Sequence, residues 1–251
     1  MSSQGARICG GPINGMVSVA QNLERIHERI DAALKRAGRR DAVTLVVVTK
    51  TIAADRIAEA CRCGVRHFGE NRVQEFKEKR PLLALPSVHW HLVGHLQTNK
   101  ARQAVELFDR VDSVDSVRLA EKLAHAVGGQ GSKLPVLIQV HLGEEPSKHG
   151  VAPGEVEALV KQVAELETLQ VEGLMTIPPF SDNPEETRPY FRQLRALSEQ
   201  LERSRIPGVS MRELSMGMTN DFEVAIEEGA TQVRLGTAIF GPRPVPREPK
   251  S

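Results

Sequence analysis

The chain has 251 residues, 33 Lys+Arg against 32 Asp+Glu, a formal net charge of +1 and a hydrophobic fraction of 40%. That is the profile of a soluble globular chain, long enough for one α/β barrel or two ordinary domains and without charge bias toward nucleic acid or an anionic membrane. Three unevenly spaced cysteines (Cys9, Cys61, Cys63) exclude a disulfide scaffold; with no apolar run of roughly 18–20 residues and no signal-peptide core in MSSQGARICGGPING, the expected setting is the reducing cytoplasm.

Residues 1–16 read as a flexible head, and Met16 would serve equally as the first residue. From Val17 to Ala37, apolar side chains at Val19, Leu23, Ile26, Ile30, Ala33 and Leu34 recur at helical spacing, and Gly38 stops the helix. Residues 43–49, VTLVVVT, are apolar almost throughout, as a parallel strand covered on both faces should be. Further strands are predicted at 66–69, 89–93, 110–113, 135–141, 171–175, 212–215 and 231–235. Helical patterns lie between them at 54–62, 97–107, 116–126, 154–167, 185–204 and 220–228. In the last of these, Asn220 and Glu223 have capping-box spacing and Gly229 ends the helix. Residues 242–251 form a Pro-rich tail expected to be extended and flexible.

Eight β/α alternations have one economical solution, an α/β fold of the (β/α)8 TIM-barrel type with an extra N-terminal helix, spanning 17–241 as a single domain. A doubly wound sheet would carry a Gly-rich turn after its first strand, where this chain has Thr49-Lys50-Thr51.

In such a barrel, chemistry sits just past the C-terminal ends of the strands. The residues there are Lys50, Glu70, Asn71, Gly94, His95, Asp112, Ser113, His141, Thr176, Ser215, Gly217 and 234–237. Lys50 is either a lysine reaching from a strand end into solvent or an amine positioned to condense with an aldehyde or ketone, and position alone leaves both open. Ser215-Met-Gly-Met-Thr219 and Arg234-Leu-Gly-Thr237 follow the seventh and eighth strands, where such barrels often bind phosphate. Gly217 and Gly236 allow backbone amides to approach an anion, Ser215 and Thr237 supply hydroxyls, and Arg234 can pair with the phosphate or another acceptor. His89, His91 and His141 suggest a zinc hydrolase instead, but no further histidine or aspartate stands at later strand ends to complete one. The sequence is therefore expected to hold no metal. A lysine, a phosphate cup and an arginine on one rim match pyridoxal 5′-phosphate, which carries an aldehyde, a phosphate and a ring nitrogen.

VVVTKT (46–51), HFGENRVQE (67–75), WHLVGHLQTNK (90–100) and SMGMTNDFEVAIEEGATQVRLGTAIFG (215–241) resemble the YggS/PROSC family of pyridoxal phosphate homeostasis proteins, in order and over about 17–241. The resemblance implies a barrel like the N-terminal domain of alanine racemase and an internal aldimine between pyridoxal phosphate and Lys50. It further implies that Ser215, Gly236 and Thr237 hold the phosphate, with Gly217 in the same turn, that Arg234 faces the pyridine nitrogen and that Asn71 lies beside the ring. An arginine there keeps its own proton, so the nitrogen stays unprotonated and the cofactor is a poor electron sink. His141 stands where the family usually has asparagine, whereas Lys148 is retained.

Racemases of this lineage add a second base, normally a tyrosine from another domain. This chain ends after its eighth β/α unit and its one tyrosine, Tyr190, lies on an outer helical pattern. The expectation is a non-catalytic, monomeric carrier that serves pyridoxal phosphate homeostasis and supply, with apo-enzymes that use the cofactor as candidate partners. A weak racemase or transaminase is the alternative.

Overall fold

The computed structural model describes residues 18–242 apart from 86, 129–130, 132 and 144–148. The head at 1–16, the tail beyond 242 and Lys148 lie outside the described residues. Ser18 opens α1 (Val19–Arg36): its hydroxyl accepts from Gln21 N–H, and the Gln21 side chain accepts from Ser18 N–H. The capping box thus forms at the start of the chain rather than at Asn220–Glu223. Buried Val19, Leu23, Ile26, Ile30 and Ala33 make the inward face that the periodicity predicts.

The chain then alternates through β1 (Thr44–Val48), α2 (Ala54–Arg62), β2 (His67–Glu70), α3 (Val73–Lys79), β3 (His89–Leu92), α4 (Ala101–Leu107), β4 (Arg110–Val114) and α5 (Val117–Val127). It continues through β5 (Leu134–Val140), α6 (Val156–Ala164), β6 (Leu169–Thr176), α7 (Arg188–Arg203), β7 (Glu213–Ser215), α8 (Phe222–Glu227), β8 (Gln232–Leu235) and α9 (Thr237–Phe240). All eight strands fall where the sequence places them. They pair in parallel in chain order and close where β1 meets β8, with Val46 opposite Arg234 and Val47 opposite Leu235. The fold is a (β/α)8 barrel preceded by a helix.

Parallel neighbours need a crossover, and α2 to α8 supply one each while covering the outer strand face. The single tryptophan shows how even a short helix is held: Trp90 on β3 packs against Phe68 and against Phe76 of α3, ring centroids 5.1 and 4.5 Å apart. α1 lies across the seam. Asn22 Nδ2 donates to Ile239 O at 2.8 Å, Arg36 pairs with Glu227 at 2.7 Å, and Arg29 both pairs with Glu223 and stacks over Phe222.

The strand starts carry a polar plug. His67, His89 and His91 meet where β2 and β3 run side by side, His67 stacked on His89 and its Nδ1 3.0 Å from His91 Nε2. His91 Nδ1 lies 3.0 Å from Asp112 Oδ2, and Arg110 Nε donates to Asp112 Oδ1 at 2.8 Å. Glu172 and Glu213 complete the surroundings of Arg110. β4 runs on to Val114, so Asp112 belongs to this buried network rather than to the rim where the shorter predicted strand would put it. His89 begins β3 while His141 follows the end of β5, so the three histidines of the zinc reading do not come together.

Burial, reinforced by His91, His89 and Arg110, lowers His67 to about 4. Burial alone would raise Asp112, but Arg110 and His91 more than offset it and hold the carboxyl at about 2. Between pH 6.5 and about 4 the unfolded chain therefore binds a proton at His67 that the native chain refuses, and stability falls as pH drops through that window. Asp112 adds a second loss from 3.8 toward 2. His67→Gln keeps a donor for His91 without titrating; urea unfolding across pH should show the first descent flattened and the second unchanged.

Candidate functional site

The loop after β1 is built around Lys50. Thr49 is buried, donating its N–H to Gly69 O at 2.9 Å and its hydroxyl to Glu70 Oε1 at 2.7 Å. Thr51 takes a left-handed conformation (φ 63°), costly for a β-branched residue, and its N–H donates to Glu75 Oε1 at 2.6 Å. Lys79 fastens both sides: Nζ reaches Thr49 O at 2.9 Å, Glu70 Oε1 at 2.8 Å and Glu75 Oε1 at 3.1 Å. Lys50 therefore stands between two anchored neighbours. Glu70 is fully buried, and that burial raises its pKa against the pull of Lys79.

Lys50 opens onto a cavity of about 680 Å³ at the C-terminal end of the barrel, within the range of small-molecule sites. Asn71, Arg234, Gly236 and Thr237 share its wall, as do Thr219, Asn220 and Asp221. Val48, Val93, Ile177, Phe180 and Met218 supply apolar surface. Asn71 lies against Gly94, where a Cβ would come within 2.3 Å of Asn71 O; Ser113 Oγ fixes that turn by donating to Gly94 O at 2.7 Å.

Arg234 is the buried cation of the wall, which also carries the buried carboxyl of Asp221. Its Nη1 donates to Ser215 Oγ and its Nη2 to Thr176 O, each at 2.7 Å. Both acceptors are neutral, and burial lowers the guanidinium to about 10, so it remains a cation at neutral pH. Gly236, the next turn, passes so close to β1 that a Cβ would sit 2.9 Å from Val48 O.

Of the residues expected from the sequence, Lys50, Asn71, Arg234, Gly236 and Thr237 line one cavity, while Ser215 and Gly217 stand one layer behind it. Ser215 is fully buried under Arg234; Gly217 (φ 93°) carries the turn over α8, where a side chain would strike Ala225 and Phe222. Asp221 rather than Asn220 precedes α8, and its Oδ1 accepts from Met218 N–H at 2.6 Å, which shapes the 217–221 turn instead of capping the helix. His141 follows β5 with its N–H on Val151 O and is not among the lining residues. Gln139, His149, Asp221 and Phe180 line the cavity without having been expected there.

Residues 21–244 match the model of the family described as alanine racemase, N-terminal domain. The chain is 42% identical over 228 residues to the pyridoxal phosphate homeostasis protein of Aquifex aeolicus, covering 90% of this chain and 99% of that one. PipY of Synechococcus elongatus, solved without and with pyridoxal phosphate bound, is 40% identical, with TM-scores of 0.80 and 0.78 over 89% of this chain and all of PipY. The chain belongs to the pyridoxal phosphate homeostasis family. All four motifs that carry the resemblance to this family (46–51, 67–75, 90–100 and 215–241) contribute to the cavity wall, which residues between 139 and 181 complete.

Three single substitutions and one double variant probe the framework. Gly94→Ala forces a Cβ into the Asn71 backbone and should cost about 1–3 kcal/mol in denaturant unfolding, whereas Gly154→Ala, with open space around it, should stay within about 0.5 kcal/mol of the parent. Lys79→Met strands the Glu70 carboxylate and should cost roughly 3–5 kcal/mol, much of it recovered in the Glu70→Gln/Lys79→Met double variant.

Proposed function

We propose that this chain holds pyridoxal 5′-phosphate at Lys50 and serves its homeostasis and supply. The observation that carries the reading is Arg234, a buried guanidinium bonded to two neutral oxygens on the same wall as Lys50. When bound, pyridoxal phosphate supplies an aldehyde for condensation with an amine, a phosphate and a ring nitrogen. Lys50 presents the amine from a loop fixed by Lys79 and Glu75. Gly236 and Thr237 would present amides and a hydroxyl to the phosphate: the first amides of a helical turn have no partner within it, and the missing Cβ of Gly236 lets this turn sit directly against β1, close to Lys50. Ser215 would add its hydroxyl to the same cup while also accepting from Arg234, and Gly217 shapes the turn that follows it. Arg234, cationic at neutral pH, donates toward the ring nitrogen without surrendering its proton. Asn71, backed by Gly94, flanks the ring.

The role proposed is non-catalytic. Tyr190, the one tyrosine of the chain, lies on α7 in the outer ring and does not line the cavity. A supply role needs takers, and apo-enzymes that use the same cofactor are the proposed partners. A cytoplasmic monomer suits this role: among the described residues the large exposed apolar side chains are Leu82, Ile177 and Phe180, two of them at the cavity mouth, and no helix is long and apolar enough to cross a membrane. The near-neutral charge gives no support to a nucleic-acid partner. A weak racemase or transaminase is the competing reading.

The purified chain should be yellow, and borohydride should fix the cofactor covalently on Lys50, located by peptide mass spectrometry. Lys50→Ala should lose both colour and adduct. D-alanine produced from L-alanine at about 1 per second or faster would overturn the carrier reading, and transfer of the cofactor to an apo-enzyme would support it.

A further inference from the structure

The same cavity wall holds a cluster that the cofactor reading leaves unused. We propose that His95, Asp115 and His149 form a binding site for one divalent transition-metal ion of the zinc type. Their candidate ligand atoms all lie within 4.8 Å of one another, with His95 Nδ1 3.5 Å from Asp115 Oδ2. The rings of His95 and His149 face each other with centroids 3.4 Å apart and planes 6° from parallel.

The three side chains come from three successive strand ends. His95 follows Gly94 past β3, in the turn held by Ser113, and Asp115 follows the last residue of β4. His149 is tied back to β5: Gln139 Nε2 donates to His149 O at 2.9 Å, and Val151 N–H donates to Gln139 O at 2.9 Å. The backbones are fixed while the rings are exposed and can turn. Zinc bound tetrahedrally at its usual distances of about 2.0–2.2 Å needs ligand atoms roughly 3.4 Å apart. Rotation that splays the stacked rings toward Asp115 closes the remaining gap.

Two imidazoles and one carboxylate suit zinc, nickel or copper rather than magnesium or calcium, which prefer all-oxygen shells. Three protein ligands leave a fourth position, and because His95 and His149 line the cavity that position opens into it, toward water or an anionic oxygen of whatever enters. None of these residues is required to hold pyridoxal phosphate, so the two proposals stand or fall separately.

The test is equilibrium dialysis of the untagged full chain against Zn2+ alone, in a background with all three cysteines changed to serine so that thiolates cannot compete. One equivalent should bind, and a large excess of Mg2+ should leave it in place. His149→Ala and His95→Ala should each weaken binding at least tenfold, His149→Gln should behave like His149→Ala, and Lys50→Ala should bind as the parent does. Affinity should fall as pH drops and protons compete for the imidazoles. Absence of binding by the parent, undiminished binding by His149→Ala, or loss of the metal on Lys50→Ala overturns the assignment. Circular dichroism of each variant confirms that it is folded before the comparison is made.

Discussion

Where the first strand meets the last, Val46 lies opposite Arg234 and Val47 opposite Leu235, and this seam makes neighbours of residues nearly two hundred positions apart. One step past the seam, Lys50 leaves β1 while Gly236 leaves β8, with room between Gly236 and Val48 O only for a hydrogen. Lys50 and the turn at Gly236 are therefore brought together by the ladder hydrogen bonds of the seam, and the side chains of Glu75 and Lys79 fix the loop that carries Lys50. α1 bolts the seam from outside through Asn22, Arg29 and Arg36.

The two ends of the barrel handle charge differently. At the strand starts Arg110 meets Asp112, Glu172 and Glu213 in direct ion pairs, so the charges there neutralise one another. At the strand ends Arg234 hydrogen-bonds two neutral oxygens, and buried Asp221 on the same cavity wall supplies nearby negative charge without a direct bond. Buried ion pairs contribute little net stability, because desolvation offsets most of their attraction. The strand-end guanidinium, hydrogen-bonded but not directly ion-paired, is the charge that stands beside an open cavity.

The strands could be read from the sequence because β1, β5 and β6 are rich in apolar and β-branched residues and the short polar ones such as β2 (HFGE) and β7 (ELS) fall at the spacing the β/α alternation requires. The rim positions Lys50, Asn71, Arg234, Gly236 and Thr237 followed from counting to strand ends. α3 has only Val73 and Phe76 buried over seven residues, too short for periodicity to show. The expected cap at Asn220 failed because the neighbouring Asp221 carboxylate goes to Met218 N–H. Ser215 could be read as a strand-end hydroxyl, but its bond to Arg234 could not, because that partner comes from the neighbouring strand. Gln139 lies within β5, one residue before its end, and His149 and Phe180 reach the cavity from the loops after β5 and β6, whose course leaves no periodic trace.

The seam also sets an order in time. Synthesis delivers Lys50 early and Arg234 nearly last, and domains acquire their packing as the chain emerges. Until β8 docks, the cavity lacks the wall that Arg234, Gly236 and Thr237 supply, and α1 lacks Ile239 O to hold. A nascent chain thus carries the first strand and its loop well before any pocket surrounds them, and the cavity takes shape only when the eighth strand closes the barrel.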